Sequence, residues 1–375
     1  MLKYERISIK MNCVCEKQAN LTVKKAETGK MTDYIQKIIH TDRLRTAYYR
    51  AGEGNEKKLV VLHGNISSSV FFLPLVPYLA DRYDIAVPDL RCFGNTEGRP
   101  VDARRGYRDW SDDVDAFVRA LGWEHFTLLG WSMGGDIAMQ YCIDHAEKVE
   151  GLVLVAPGSP FGFGGTRDEK GTMYSPAGLG SGGGTSNPAL VLSGKLGGGS
   201  VMSDILNRFL FSEDFRMSDV WEKKFAKAAM SARLGTGYFP GDYSLTWKWP
   251  YVVAGDSGVL NAMSPKYGRL DAFLNIKEKM PVLWIRGNAD KIVSDTSMME
   301  LGYLGKIGLI PGWPGEDVYP PQPMVRQTRY FLEQYRSRGG QYVELVIPGG
   351  HVCILESPVH FITALDTFVQ SKTEN

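Results

Sequence analysis

The chain has 375 residues, 43% hydrophobic and 23% charged, and its 43 Lys plus Arg against 42 Asp plus Glu leave a net charge of +1. That balance excludes disorder as the main state and bulk nucleic-acid binding as the expected role. No apolar run reaches the ~18 residues of a membrane span, and the length suits two domains or one large domain with an insertion.

Residues 1–30 are polar and basic without periodicity and read as a flexible N-terminal extension. The five cysteines, Cys13, Cys15, Cys92, Cys142 and Cys353, are odd in number and scattered, which reads as free thiols. With no apolar secretory segment, a reduced, cytoplasmic protein is expected. YIQKIIHT and RTAYYRAG read as strands, and KLVVLHG (57–64) is a short apolar run of the buried-strand kind. SSVFFLPLVPYLAD then predicts a helix, YDIAVPDL (83–90) a strand, and 107–122 a helix stopped by Gly122. HFTLLGWS (125–132), the helix 133–145 and VEGLVLVAPG (149–158) continue the alternation, which predicts an α/β fold with a mostly parallel sheet flanked by helices.

After Gly158 the rhythm stops. Residues 159–200 carry about a third of the 42 glycines, the stretch 201–235 looks helical, and 236–275 looks loop-like, with Trp247, Trp249 and Tyr251. The alternation resumes with a strand at 280–290, a helix near 324–338, a strand at 342–350 and a helix near 357–372. The expected organisation is a core of 31–158 and 276–375, interrupted by a cap or lid insertion at 159–275. Its glycine runs predict low local stability. Gly178 to Gly183 fits G-x-G-x-x-G but follows no strand, so it reads as loop rather than a dinucleotide site.

Residues 130–134, Gly130-Trp131-Ser132-Met133-Gly134, form G-x-S-x-G at a strand-to-helix junction. A serine there is presented on a sharp turn, with a helix N-terminus and the Met133 N–H beside it. A serine nucleophile needs a base. Of the six histidines, His351 follows the last strand, where such sheets hold their sites. His40 and His125 lack that context, and His145 and His360 sit on helices. The orienting carboxylate is expected at Asp290, after the penultimate strand, with Asp295 as its rival and Asp168 and Glu169 further away. His63-Gly64-Asn65 follows KLVVL, so a second oxyanion donor is expected at the Asn65 N–H, with Ile66 next. Glu356 reads as a helix-start or supporting carboxylate.

The stretches LHGN, VPDLRCFGNTEG, GWSMGG, GNADKIVS and GGHVCILESP together resemble the α/β-hydrolase fold family over residues 34–372. The resemblance implies a Ser/His/acid hydrolase with a variable cap between strands six and seven. Arg91-Cys92-Phe93-Gly94 stands where R-G-F-G is usual, Ser294 replaces a frequent proline, and the insertion is unusually glycine-rich. LHGN also resembles haloalkane dehalogenases, whose nucleophile is an aspartate where this chain has Ser132.

The expected activity is hydrolysis of a carboxylic ester or lactone through an acyl-enzyme on Ser132, with His351 as base, Asp290 as orienter, and Met133 and Asn65 as oxyanion donors. Amide or C–C hydrolysis, acyl transfer, and a slow-turnover ligand receptor use the same machinery. Trp131, Phe161, Phe163 and Trp247 are the expected substrate-binding residues. No metal or organic cofactor is expected. The expected partners are a small-molecule substrate and, at most, a second copy in a homodimer; neither nucleic acid nor a membrane span is expected.

Overall fold

A computed structural model describes residues 34–186 and 197–373. The extension 1–30, with Cys13 and Cys15, lies outside the described residues. Eight strands form one sheet: β1 (Lys37–His40), β2 (Arg45–Ala51), β3 (Lys58–Leu62), β4 (Asp84–Pro88), β5 (Phe126–Trp131), β6 (Val149–Val155), β7 (Pro281–Gly287) and β8 (Gln341–Ile347). Their spatial order is β1-β2-β4-β3-β5-β6-β7-β8. β1 pairs antiparallel with β2, and β2 antiparallel with β4. All other pairings are parallel. Strands β3 to β6 are apolar on both faces because helices cover both. Parallel registry places the ends of β3, β5, β7 and β8, and the loops that follow them, on one edge of the sheet.

The main helices follow from their apolar spacing. Helix α1 (Arg108–Ala120) buries Trp110, Val114, Phe117 and Val118 and stops near Gly122, whose φ of 72° suits a left-handed C-terminal position. Helix α2 (Met133–Asp144) is buried almost all round. One face of the sheet packs Trp110, Tyr141 and Phe331, and the other packs Phe71, Trp131 and Phe225. Each fully buried large apolar side chain contributes roughly 1.5–3 kcal/mol. Cys92, Cys142 and Cys353 are free, buried thiols. Among the described residues no helix is long and apolar enough to cross a membrane.

Two expectations about helices are corrected. The stretch 68–81 is not one helix but a 3₁₀ turn at Ser69–Phe72 and a single turn at Val76–Leu79. Pro74 and Pro77 each lack an N–H, and a proline also disfavours helical backbone in the residue before it. The stretch 201–235 is two helices, α3 (Gly198–Phe209) and α4 (Asp219–Met230), separated by a bend at 210–218. Phe225 of α4 stacks on Phe71 at 4.3 Å, and Phe71 stacks on Trp131 at 5.6 Å.

The expectation of a loosely packed glycine-rich segment also fails over 159–186. Its glycines serve close approach between backbones. A Cβ on Gly162 (φ 90°) would lie 2.5 Å from Pro265 N, and one on Gly180 (φ 73°) would run into Tyr319. Helix α5 (Met324–Ser337) helps to hold the segment. Buried Gln327 accepts from Ser159 Oγ at 2.6 Å and donates to Thr166 Oγ1 and the Asp168 carbonyl at 2.9 and 2.7 Å. Gln322 Oε1 accepts from Gly164 N at 2.6 Å. A third apolar cluster of Leu179, Trp249, Val252, Leu301 and Tyr319 closes this lobe. A polar side chain buried with all its bonds made fixes geometry that glycine alone leaves free.

Candidate active site

Ser132 sits between β5 and α2 with φ 56° and ψ −129°, a conformation that costs a non-glycine residue of order 1–3 kcal/mol. Several contacts hold it there. Its N–H donates to Val155 O at 2.9 Å, and its carbonyl accepts from Gly135 N at 2.7 Å. Gly130 and Gly134 leave no room for a Cβ: one would strike the Gly134 carbonyl, the other the Leu62 carbonyl. Gly64 borders the serine so closely that its own Cβ would lie 2.9 Å from Ser132 Cβ. Ser132 is partly exposed, and its hydroxyl makes no hydrogen bond among the described residues.

His351 and Asp290 meet across the ends of β8 and β7. His351 Nδ1 lies 2.9 Å from Asp290 Oδ2, and both side chains are 3% exposed. Asp290 Oδ1 accepts from Ile292 N at 2.7 Å and Val293 N at 3.0 Å, so the carboxylate acts as acceptor throughout. That makes Nδ1 the donor, so the neutral ring carries its lone pair on Nε2. The rival carboxylate is committed elsewhere. Asp295 accepts from Val325 N and Arg326 N at 2.9 and 3.3 Å and caps α5. Asp168 closes a turn by accepting from Lys170 N and Thr172 N.

The loop after β3 is held by His63, which is fully buried. Its Nδ1 faces Gly64 O at 2.8 Å, and its Nε2 accepts from Leu90 N at 2.9 Å. Burial pushes its pKa down to about 4, so the ring is neutral. The Ile66 N–H is taken by Asn65 Oδ1 at 3.1 Å. Among the described residues, neither the Asn65 N–H nor the Met133 N–H has a protein acceptor.

Of the four residues expected at the substrate, none has a side chain hydrogen-bonded to Ser132 among the described residues. Trp131 is 1% exposed and donates from Nε1 to the His351 carbonyl at 2.9 Å, so it lies beneath the site. Phe161 is buried against Phe331. Phe163 donates from its N–H to Met263 O at 2.8 Å, and Met263 Sδ lies 3.8 Å from Asn65 Nδ2. Trp247 is 84% exposed on a hairpin tip. Met263 was not anticipated, because a lone methionine in an aperiodic stretch gives no signal. Asp136 was missed as well. It is buried beside Tyr107 Oη at 3.3 Å, its Oδ1 has no partner, and burial holds its carboxyl well above the usual range.

A family model for the alpha/beta hydrolase fold matches residues 57–179. The chain has the α/β-hydrolase fold. Solved structures with the same α/β-hydrolase fold include a bacterial membrane phospholipase A, 18% identical with a TM-score of 0.58 and 100% of both chains covered. Another is an enol-lactonase from Burkholderia xenovorans LB400, 15% identical with a TM-score of 0.55, covering 89% of this chain and 100% of that one. At such identities the likeness is one of fold. Among curated proteins, a pimeloyl-[acyl-carrier protein] methyl ester esterase from Aeromonas hydrophila is 36% identical over 109 residues, 28% of this chain and 39% of that protein. A fluoroacetate dehalogenase from Burkholderia sp is 30% identical over 105 residues, 27% of this chain and 34% of that protein. The chain thus matches little more than a third of the length of these curated relatives. The curated matches thus include an esterase and a dehalogenase, and the lactonase is a match in fold.

Proposed function

We propose that this α/β hydrolase cleaves a carboxylic ester or lactone through an acyl-enzyme on Ser132. The observation that carries the reading is the buried Asp290–His351 pair, whose open Nε2 stands on the same sheet edge as strained Ser132. An aspartate nucleophile, as in the dehalogenase reading, has no candidate at this turn.

In this reading His351 Nε2 takes the Ser132 proton as Oγ attacks the substrate carbonyl. The N–H groups of Met133 and Asn65 stabilise the oxyanion. Collapse breaks the C–O bond, and His351 returns its proton to the departing alkoxide. Water, deprotonated by His351, then attacks the acyl-enzyme and releases the acid, restoring the Ser132 hydroxyl. Asp290 holds the tautomer that this sequence requires. The insertion 159–275 selects the substrate, with Met263 and Phe163 as its wall near Asn65. Close packing of 159–186 favours a fixed wall over a mobile lid in that segment.

The test is covalent labelling with an alkyl fluorophosphonate, located by peptide mass, together with the pre-steady-state burst on an activated aryl ester. Stoichiometric label on Ser132 and a burst of one equivalent are expected. Label on another residue, or tight binding with no turnover, overturns the reading.

A further inference from the structure

The loop that carries His351 is fastened to the insertion by one carboxylate. Glu356 Oε1 accepts from Gly350 N at 2.7 Å, next to His351. Its other oxygen, Oε2, accepts from Ser212 N at 3.1 Å and from Ser212 Oγ. Ser212 lies in the bend that follows α3. A second bond runs alongside, from Val352 N to Leu210 O at 3.2 Å. Gly350 is pressed so closely on this bend that a Cβ there would lie 2.6 Å from Leu210 O. The Asp290 loop is tied to the same bend, through Lys291 and Glu213 at 3.1 Å.

We propose that Ser212 and Glu356 are positioning residues, a strut by which the bend at 210–213 sets the height of the His351 loop over the sheet edge. This rests on the reading of His351 as the base. The physical reason is the partition of contacts around His351. Asp290 fixes the ring, and the Trp131 indole fixes the carbonyl. The N–H groups on either side, at Gly350 and Val352, go to Glu356 and to the bend instead of to the sheet. The bend is not part of the core strands, so its attachment makes base position depend on the insertion. An error of about 1 Å in a catalytic group costs up to ~100-fold in rate. Both donors of Ser212 converge on one oxygen, a charge-assisted pair worth roughly twice a neutral one.

The variants are Ser212→Ala, Glu356→Gln and, as conservative rescue, Ser212→Thr. Two readouts are taken on the full chain. The first is hydrogen exchange of peptides covering 348–354, which does not depend on activity. Glu356→Gln is expected to speed exchange there by about tenfold or more, leaving β5 and β6 unchanged. The second is the rate of fluorophosphonate labelling at Ser132, with kcat and KM on an aryl ester. Roughly 10–100-fold losses in labelling and kcat are expected for Glu356→Gln, smaller ones for Ser212→Ala, with KM within about twofold and Ser212→Thr restoring the rate. Unchanged exchange at 348–354, or unchanged labelling with exchange increased, overturns the strut. If the unaltered protein takes no label at Ser132, the hydrolase reading fails, and the exchange data alone decide whether the bend holds the loop.

Discussion

Trp131 and His351 are joined twice: the indole Nε1 donates to the His351 carbonyl at 2.9 Å, and the two rings lie 5.5 Å apart between centroids. Trp131 immediately precedes Ser132, so the strand that presents the serine also fastens the backbone of the histidine. The stack continues through Phe71 to Phe225 of α4. The second residue of G-x-S-x-G is variable in the motif, and here its identity has this physical consequence.

Trp131→Phe keeps the ring stack and removes the donor. The buried His351 carbonyl then loses its partner, which costs about 1–3 kcal/mol. Denaturant unfolding is expected to show that loss, and kcat is expected to fall more than KM rises. Wild-type stability would mean that the carbonyl finds another donor.

Ser132→Ala is expected to fold normally and to lose activity by about 10^4–10^6 in kcat, because members of a triad act as a unit. Steady-state kinetics on an aryl ester measure it. Activity within tenfold of the parent sinks the nucleophile assignment.

Asp290→Asn presents an amide to His351 Nδ1 and favours the wrong tautomer, an expected cost of ~10^4 in kcat. Asp295→Asn is the contrast. It weakens the cap on α5 by roughly 0.5–1 kcal/mol and leaves kcat near normal. The reverse pattern of rates would transfer the acid role to Asp295.

Two buried groups predict opposite pH responses in stability. His63 has its folded pKa lowered from 6.5 to about 4, so between those values the unfolded chain binds the extra proton. Its contribution is present above pH 6.5 and is lost as pH falls towards 4, up to ~3 kcal/mol. Asp136 has its folded pKa raised, so its contribution is present at low pH and lost as pH rises above 3.8. Urea midpoints from pH 4 to 8 are the measurement. His63→Gln is expected to flatten the acid limb, and Asp136→Asn to gain relative stability towards pH 8. Slopes identical to the parent contradict both assignments.

Gly180→Ala places a methyl against Tyr319 at a φ of 73° and is expected to cost about 1–3 kcal/mol. Thermal unfolding measures it. No change would mean that the segment gives way, as its composition alone suggested.

Strands β3 to β7 were legible because buried parallel strands are short apolar runs, and KLVVL or LVLV have few other readings. Asp290 and His351 were legible as candidates from their places after the last two strands, and their 2.9 Å contact required coordinates. The helix expected over 68–81 failed because its apolar spacing was read ahead of Pro74 and Pro77. The glycine-rich lobe was misread for a deeper reason. Composition counts the side chains a segment brings, whereas 159–186 is ordered by what it meets: Pro265, Tyr319, and the amides of Gln322 and Gln327. The Glu356–Ser212 tie joins residues 144 positions apart, and no local pattern reports it.

Neighbouring β6 and β7 are separated in sequence by the whole insertion, and this sets an order of events during synthesis. Strands β1 to β6 and helix α2 leave the ribosome first, with Ser132 already among them. Asp290 and His351 emerge only after 125 further residues of connection between Val155 and Pro281. At ~5–20 residues per second the delay is on the order of 10 s. During it the open edge of β6 is a row of unpaired backbone groups that another nascent chain could zip onto. Chaperone dependence of this protein should therefore concentrate in that interval, before β7 closes the gap.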